Sequence, residues 1–155
     1  MRPSPLPKFK CRVLIVDDVE DNREMYALYF AYLGWEVRLA SNGAEGLAMA
    51  QAEQPDILVL DLAMPGMAGW EVCEHLKRDE ATRAIKIVVV TGRGLRGNSD
   101  DERPIACDAF LMKPCLPEHL AAVIAHIGVV RPIDPPPAPR RCAANHVVPN
   151  AELNQ

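Results

Sequence analysis

The chain has 155 residues, a length that suits one domain with short flanking segments rather than a two-domain enzyme. Apolar residues make up 49% and charged residues 25%, enough apolar material for the core of a soluble globular protein. With 17 Lys plus Arg against 21 Asp plus Glu, the formal charge is -4, so the basic excess of a dedicated nucleic-acid binder is missing and no direct DNA binding is expected.

In chain order, residues 1–10 carry Pro3, Pro5 and Pro7 and are expected to form a mobile or extended arm. The folded unit is expected over 11–129. Its first strand is the apolar run Cys11 to Val16, followed by a helix whose Met25, Leu28, Tyr29 and Tyr32 repeat at i, i+3, i+4, i+7. Trp35 to Leu39 alternates apolar and polar residues, as an edge strand does, and Ala44 to Ala52 follows Asn42-Gly43 as a helix. Asp56 to Leu60 and Ile85 to Val90 read as buried central strands, with a helix over Trp70 to Arg78 between them. A short helix near 99–106, a fifth strand over Ala109 to Met112 and a last helix with Leu120, Val123, Ile124 and Ile127 on one face complete the unit. Residues 130–155 hold Pro132, Pro135, Pro136, Pro137, Pro139 and Pro149 and are expected to be a disordered tail, a linker by composition or a docking segment through residues 134–141.

The cysteines Cys11, Cys73, Cys107, Cys115 and Cys142 form no C-x-x-C pair and have no His at zinc-ligand spacing, which suggests a reduced, cytoplasmic protein without structural metal. The N-terminus has no apolar signal region and no stretch is long enough to span a bilayer, so a membrane association is not expected.

Strand and helix alternate five times, which predicts an α/β fold: a five-stranded parallel sheet, order 2-1-3-4-5, doubly wound and flavodoxin-like. In such a sheet all strands end at one edge, and ligands bind there beside strands 1 and 3.

The first strand ends in Asp17-Asp18 and the third in Asp61. Each acid alone is accounted for as a helix or turn cap. Together they crowd three carboxylates at one edge, and two unit charges 4 Å apart at an effective dielectric near 20 repel by about 4 kcal/mol. A cation relieves that repulsion, and oxygen-only ligands on a partly hydrated site suit Mg²⁺ rather than zinc or copper. The fourth strand ends in Thr91 and the fifth in Lys113-Pro114. A hydroxyl and an ammonium beside three acids provide what phosphoryl oxygens need, so the constellation reads as phosphoryl transfer to a carboxylate.

The runs Val13 to Asp18, Leu58 to Gly69, Val88 to Thr91 and Phe110 to Pro114, in this order, resemble the receiver domains of two-component response regulators over about residues 11–129. The resemblance implies that Asp61 is the phosphoacceptor, supplied by a histidine kinase or phosphotransfer protein. It implies that Asp18, Asp61 and the Ala63 backbone carbonyl bind Mg²⁺ directly and Asp17 largely through water. It further implies that Lys113 and Thr91 bind the phosphoryl group, that Thr91 and Phe110 form a conformational switch, and that Lys113-Pro114 is cis. Ala63 and Arg93 match the positions that tune dephosphorylation; neither suits a water base, which implies a long-lived phosphorylated state.

The chain departs from the family at Ala106, where Gly is usual, and at Pro104, so the helix near 99–106 is expected to be short or irregular. The residues after 129 are too few and too Pro-rich for an output module, so a stand-alone receiver is expected, signalling through an unknown output protein and catalysing only its own phosphorylation and dephosphorylation. Two other readings stay open. A Mg²⁺-dependent aspartate-nucleophile phosphohydrolase places its nucleophile after strand 1 in an Asp-x-Asp pattern, against the adjacent Asp17-Asp18 here; a non-phosphorylated receiver-like binding module has no need of all five site residues.

Overall fold

The computed structural model describes residues 9–92, 107–127 and 131–132. Its main elements are β1 (Arg12–Val16), α1 (Glu20–Tyr32), β2 (Glu36–Ala40), α2 (Gly43–Glu53), β3 (Ile57–Leu60), α3 (Gly69–Arg78), β4 (Lys86–Thr91), β5 (Ala109–Met112) and α4 (Pro117–His126). The five strands pair in parallel throughout, in the order β2-β1-β3-β4-β5, as the alternation predicts. The expected helix near 99–106, with Pro104 and Ala106, lies outside the described residues, as does most of the two terminal segments.

Because successive side chains of a strand point to opposite faces, the sheet has two cores. On one face Val13, Ile15, Ile57, Val59, Val88 and Val90 pack against Tyr26 and Phe30 of α1 and Leu120 and Ile124 of α4. On the other, Leu14, Val16, Leu58, Leu60, Ile87 and Val89 pack against Ala50 of α2 and Val72, Cys73 and Leu76 of α3. Burial on both sides is why β1, β3 and β4 are continuous apolar runs, whereas β2, at the edge, leaves Glu36, Arg38 and Leu39 exposed. Asn42 caps α2, its side-chain oxygen accepting the Glu45 N–H at 2.8 Å.

The buried face of α1 is not the expected one. Met25, Leu28 and Tyr32 are exposed, and the helix instead buries Tyr26 and Phe30. Residues 25–33 are apolar almost throughout, so spacing admits more than one stripe, and aromatic contacts decide between them. The Phe30 ring lies 4.9 Å from that of Trp35 and 6.2 Å from that of Tyr26. In α4 the expected stripe holds, with Leu120 and Ile124 buried and Val123 and Ile127 half-buried.

Phe9–Lys10 pairs antiparallel with Arg131–Pro132, outside the expected bounds of 11 and 129. This pairing is made by main-chain groups, which composition does not register. Cys11, Cys73, Cys107 and Cys115 are free thiols. Among the described residues no helix is long and apolar enough to cross a membrane.

Candidate functional site

Val16 of β1 lies opposite Leu60 of β3, so the next residues, Asp17 and Asp61, leave the sheet side by side. Their burial is nearly complete, with 4% and 6% exposure. Each closes a turn on the residue two positions on: Asp17 Oδ1 accepts the Val19 N–H at 2.8 Å, and Asp61 Oδ1 accepts the Ala63 N–H at 2.9 Å. The turn role leaves one oxygen of each carboxylate for a second partner. Lys113 Nζ donates to both remaining oxygens, at 2.9 Å to Asp17 Oδ2 and 3.0 Å to Asp61 Oδ2.

Lys113 reaches this point from the end of β5, where its N–H donates to the Thr91 carbonyl at 2.9 Å and the Lys113-Pro114 peptide is cis. Burial pulls the Lys113 pKa down, but the hydrogen bonds and charges of Asp17 and Asp61 outweigh it, and the ammonium is held above the ordinary lysine range. Thr91 is fully buried at the end of β4. Since Val89 pairs with Phe110, and Thr91 follows Val89 by two residues, Thr91 and the half-buried Phe110 share one face of the sheet. Asp18 is exposed, and carboxylate oxygens of Asp17, Asp18 and Asp61 lie within 4.8 Å of one another. An all-oxygen set with one solvent-facing member fits a hard, partly hydrated cation such as Mg²⁺.

Residues 13–125 match the response regulator receiver domain model. The chain belongs to that family. Over 103 residues it is 40% identical to the response regulator PleD of Caulobacter vibrioides, which is 66% of this chain but 23% of PleD. Over 117 residues it is 30% identical to the polar-differentiation response regulator DivK of Brucella anthropi, covering 75% of this chain and 95% of DivK. Among solved structures, the receiver domain of sensor histidine kinase PA1611 from Pseudomonas aeruginosa, with a magnesium ion coordinated in its active-site cleft, has a TM-score of 0.69 at 20% identity, covering 76% of this chain and 96% of that one. That last likeness is one of fold.

Receiver domains are phosphorylation-controlled switches, and this one carries supporting residues that the motifs do not announce. Asn22 Nδ2 donates to Asp17 Oδ2 at 3.3 Å, and Arg23 NH1 donates to the Asp17 carbonyl at 2.7 Å. Both sit early in α1, where a side chain reaches back over the preceding loop. Tyr26 donates its hydroxyl to the Cys115 carbonyl at 2.8 Å, a contact with no sign in the sequence, because the expected apolar stripe of α1 omits Tyr26. Gly69 allows α3 to begin against the Asp61 loop: a Cβ there would stand 2.5 Å from the Asp61 carbonyl oxygen and 2.7 Å from Leu62 Cα. Arg93, expected to tune dephosphorylation, lies outside the described residues.

Proposed function

We propose that this receiver domain accepts a phosphoryl group on Asp61 from the phosphohistidine of a histidine kinase or phosphotransfer protein in the cytoplasm, and signals by binding an output partner. The observation that carries this reading is the single ammonium of Lys113 bridging two buried carboxylates, at 2.9 and 3.0 Å. In the transfer, an Asp61 oxygen bonds to phosphorus as the phosphorus–nitrogen bond breaks, and the electron pair of that bond stays with the departing imidazole. Lys113 then faces the phosphoryl oxygens and offsets their charge.

Asp18, Asp61 and the Ala63 carbonyl are proposed to hold Mg²⁺ directly, with Asp17 acting largely through water. When bound, the ion supplies positive charge against the phosphoryl oxygens. The Thr91 hydroxyl turns to the phosphoryl group and Phe110 follows, so the phosphorylated state is favoured by whatever contacts it alone makes. The Ala63 side chain has no group to orient an attacking water, which supports a long-lived acyl-phosphate; Arg93 enters that proposal from the sequence alone. The protein acts on itself, not on a released substrate.

The test is intact mass after incubation with a small phosphodonor and Mg²⁺. Wild type should gain one phosphate and Asp61→Asn none. Undiminished labelling of Asp61→Asn overturns the assignment, and sustained turnover of phosphate esters overturns the switch in favour of a hydrolase.

A further inference from the structure

Asp17 Oδ2 receives two donors, Lys113 Nζ at 2.9 Å and Asn22 Nδ2 at 3.3 Å. The rest of Asp17 is also tied down: Oδ1 holds the Val19 N–H at 2.8 Å and the main-chain carbonyl holds Arg23 NH1 at 2.7 Å. Among the described residues, Lys113 is the member of this set that also binds a second carboxylate, through its 3.0 Å bond to Asp61 Oδ2.

A phosphoryl group on Asp61 presents new anionic oxygens to that ammonium, which has three protons to distribute. As Lys113 turns to them, its bond to Asp17 weakens. Asp17 is only 4% exposed, so beyond a water held by the metal, bulk solvent is poorly placed to replace the lost donor, and a buried carboxylate oxygen left short of a donor is costly. The Asn22 amide is anchored on α1 and already lies against the same oxygen. Its 3.3 Å length lies just beyond the usual range of about 2.7–3.2 Å for N–H···O, a weak contact beside a competing ammonium that can shorten when the ammonium leaves.

We propose that Asn22 is the positioning residue that keeps Asp17 oriented while Lys113 is engaged by the phosphoryl group. The inference rests on the phosphoacceptor reading of Asp61 and adds a residue that acts through Asp17. A purely structural Asn22 would matter equally with and without a phosphoryl group. A positioning Asn22 matters most when Lys113 has turned away.

The test measures two dissociation constants, for Mg²⁺ alone and for beryllofluoride, a phosphoryl stand-in, at saturating Mg²⁺. Asn22→Leu should weaken Mg²⁺ binding by about twofold and beryllofluoride binding by about tenfold, the scale of one hydrogen bond to a charged group. Asn22→Gln, which keeps an amide donor, should recover part of the loss, and in an Asp17→Asn background the Asn22→Leu effect should disappear. Amide spectra of each variant establish that it is folded, with Asn22→Ala as the smaller alternative. Equal losses in both constants, wild-type affinity for beryllofluoride in the variant, or an undiminished effect in the Asp17→Asn background each overturn the inference. Wild type that takes up no beryllofluoride overturns the phosphoacceptor reading itself.

Discussion

The Tyr26 hydroxyl donates a 2.8 Å hydrogen bond to the carbonyl of Cys115, tying the middle of α1 to the turn that follows Lys113 and Pro114. The ring is 2% exposed and stacks on Phe30, so the aromatic core of one face also anchors the segment that delivers the lysine. Tyr26→Phe keeps the ring and orphans the carbonyl. We expect a loss of about 1–3 kcal/mol, read as a lower urea midpoint at unchanged slope, together with slower phosphorylation. An unchanged midpoint would show that water replaces the hydroxyl.

Stability should fall steeply in alkali. Burial pushes the Cys11 and Cys73 thiols from 9.0 up to about 12. A group whose folded pKa is raised contributes stability that is complete below its unfolded value and is lost as pH rises toward the folded one. The window here is pH 9 to about 12, and Tyr26, pushed by burial from 10.0 to about 12, adds to its upper part. Urea midpoints measured from pH 8 to 11 should hold near pH 8 and then decline, and Cys73→Ala should flatten the decline. A midpoint independent of pH above 9 contradicts the burial of these thiols.

The sheet was legible because its strands obey simple periodicities: β1, β3 and β4 are apolar on both faces, and their ends carry Asp17, Asp61 and Thr91 in sequence. The active edge follows from topology alone, since parallel strands deliver their C-terminal residues to one side. The register of α1 was not legible, because a helix apolar on nearly every side leaves its orientation to the fit of Phe30 beside Trp35. Asn22 and Tyr26 were missed for a related reason. Their partners, an acid oxygen and a main-chain carbonyl, are defined by three-dimensional approach, and no spacing in the chain encodes a contact between residue 26 and residue 115.

Asp18 is expected to couple the fold to Mg²⁺. Its carboxylate lies with those of Asp17 and Asp61 inside 4.8 Å, while Lys113 neutralises only part of their charge. A cation bound by the folded chain and not by the unfolded one stabilises by mass action, about 2.7 kcal/mol at a hundredfold excess over its dissociation constant. Asp18→Ala should abolish that gain and, by removing one of the repelling charges, raise the melting temperature without Mg²⁺. If the variant keeps the full Mg²⁺-dependent rise, Asp18 is not a ligand.

Gly69 and Gly66 separate site geometry from simple strain. At Gly69 an added Cβ meets Asp61 O at 2.5 Å and Leu62 Cα at 2.7 Å, main-chain atoms that cannot rotate away, so either the start of α3 or the Asp61 loop must move. Overpacking of this kind costs about 1–3 kcal/mol. At Gly66, with φ at +81° and nothing within 4 Å of an added Cβ, alanine meets only left-handed backbone strain, about 1–2 kcal/mol. The two substitutions should therefore lower stability by similar amounts and differ in what they do to the site. In Gly69→Ala, a displaced Asp61 loop carries Asp61 Oδ2 away from Lys113, now 3.0 Å distant, and uptake of phosphate from a small donor should slow by at least tenfold under conditions where both variants are fully folded. In Gly66→Ala the rate should stay within about threefold of wild type. Equal rates for the two variants would mean that the α3 side of the contact yields, leaving Asp61 in place, and that the close approach at Gly69 serves packing alone.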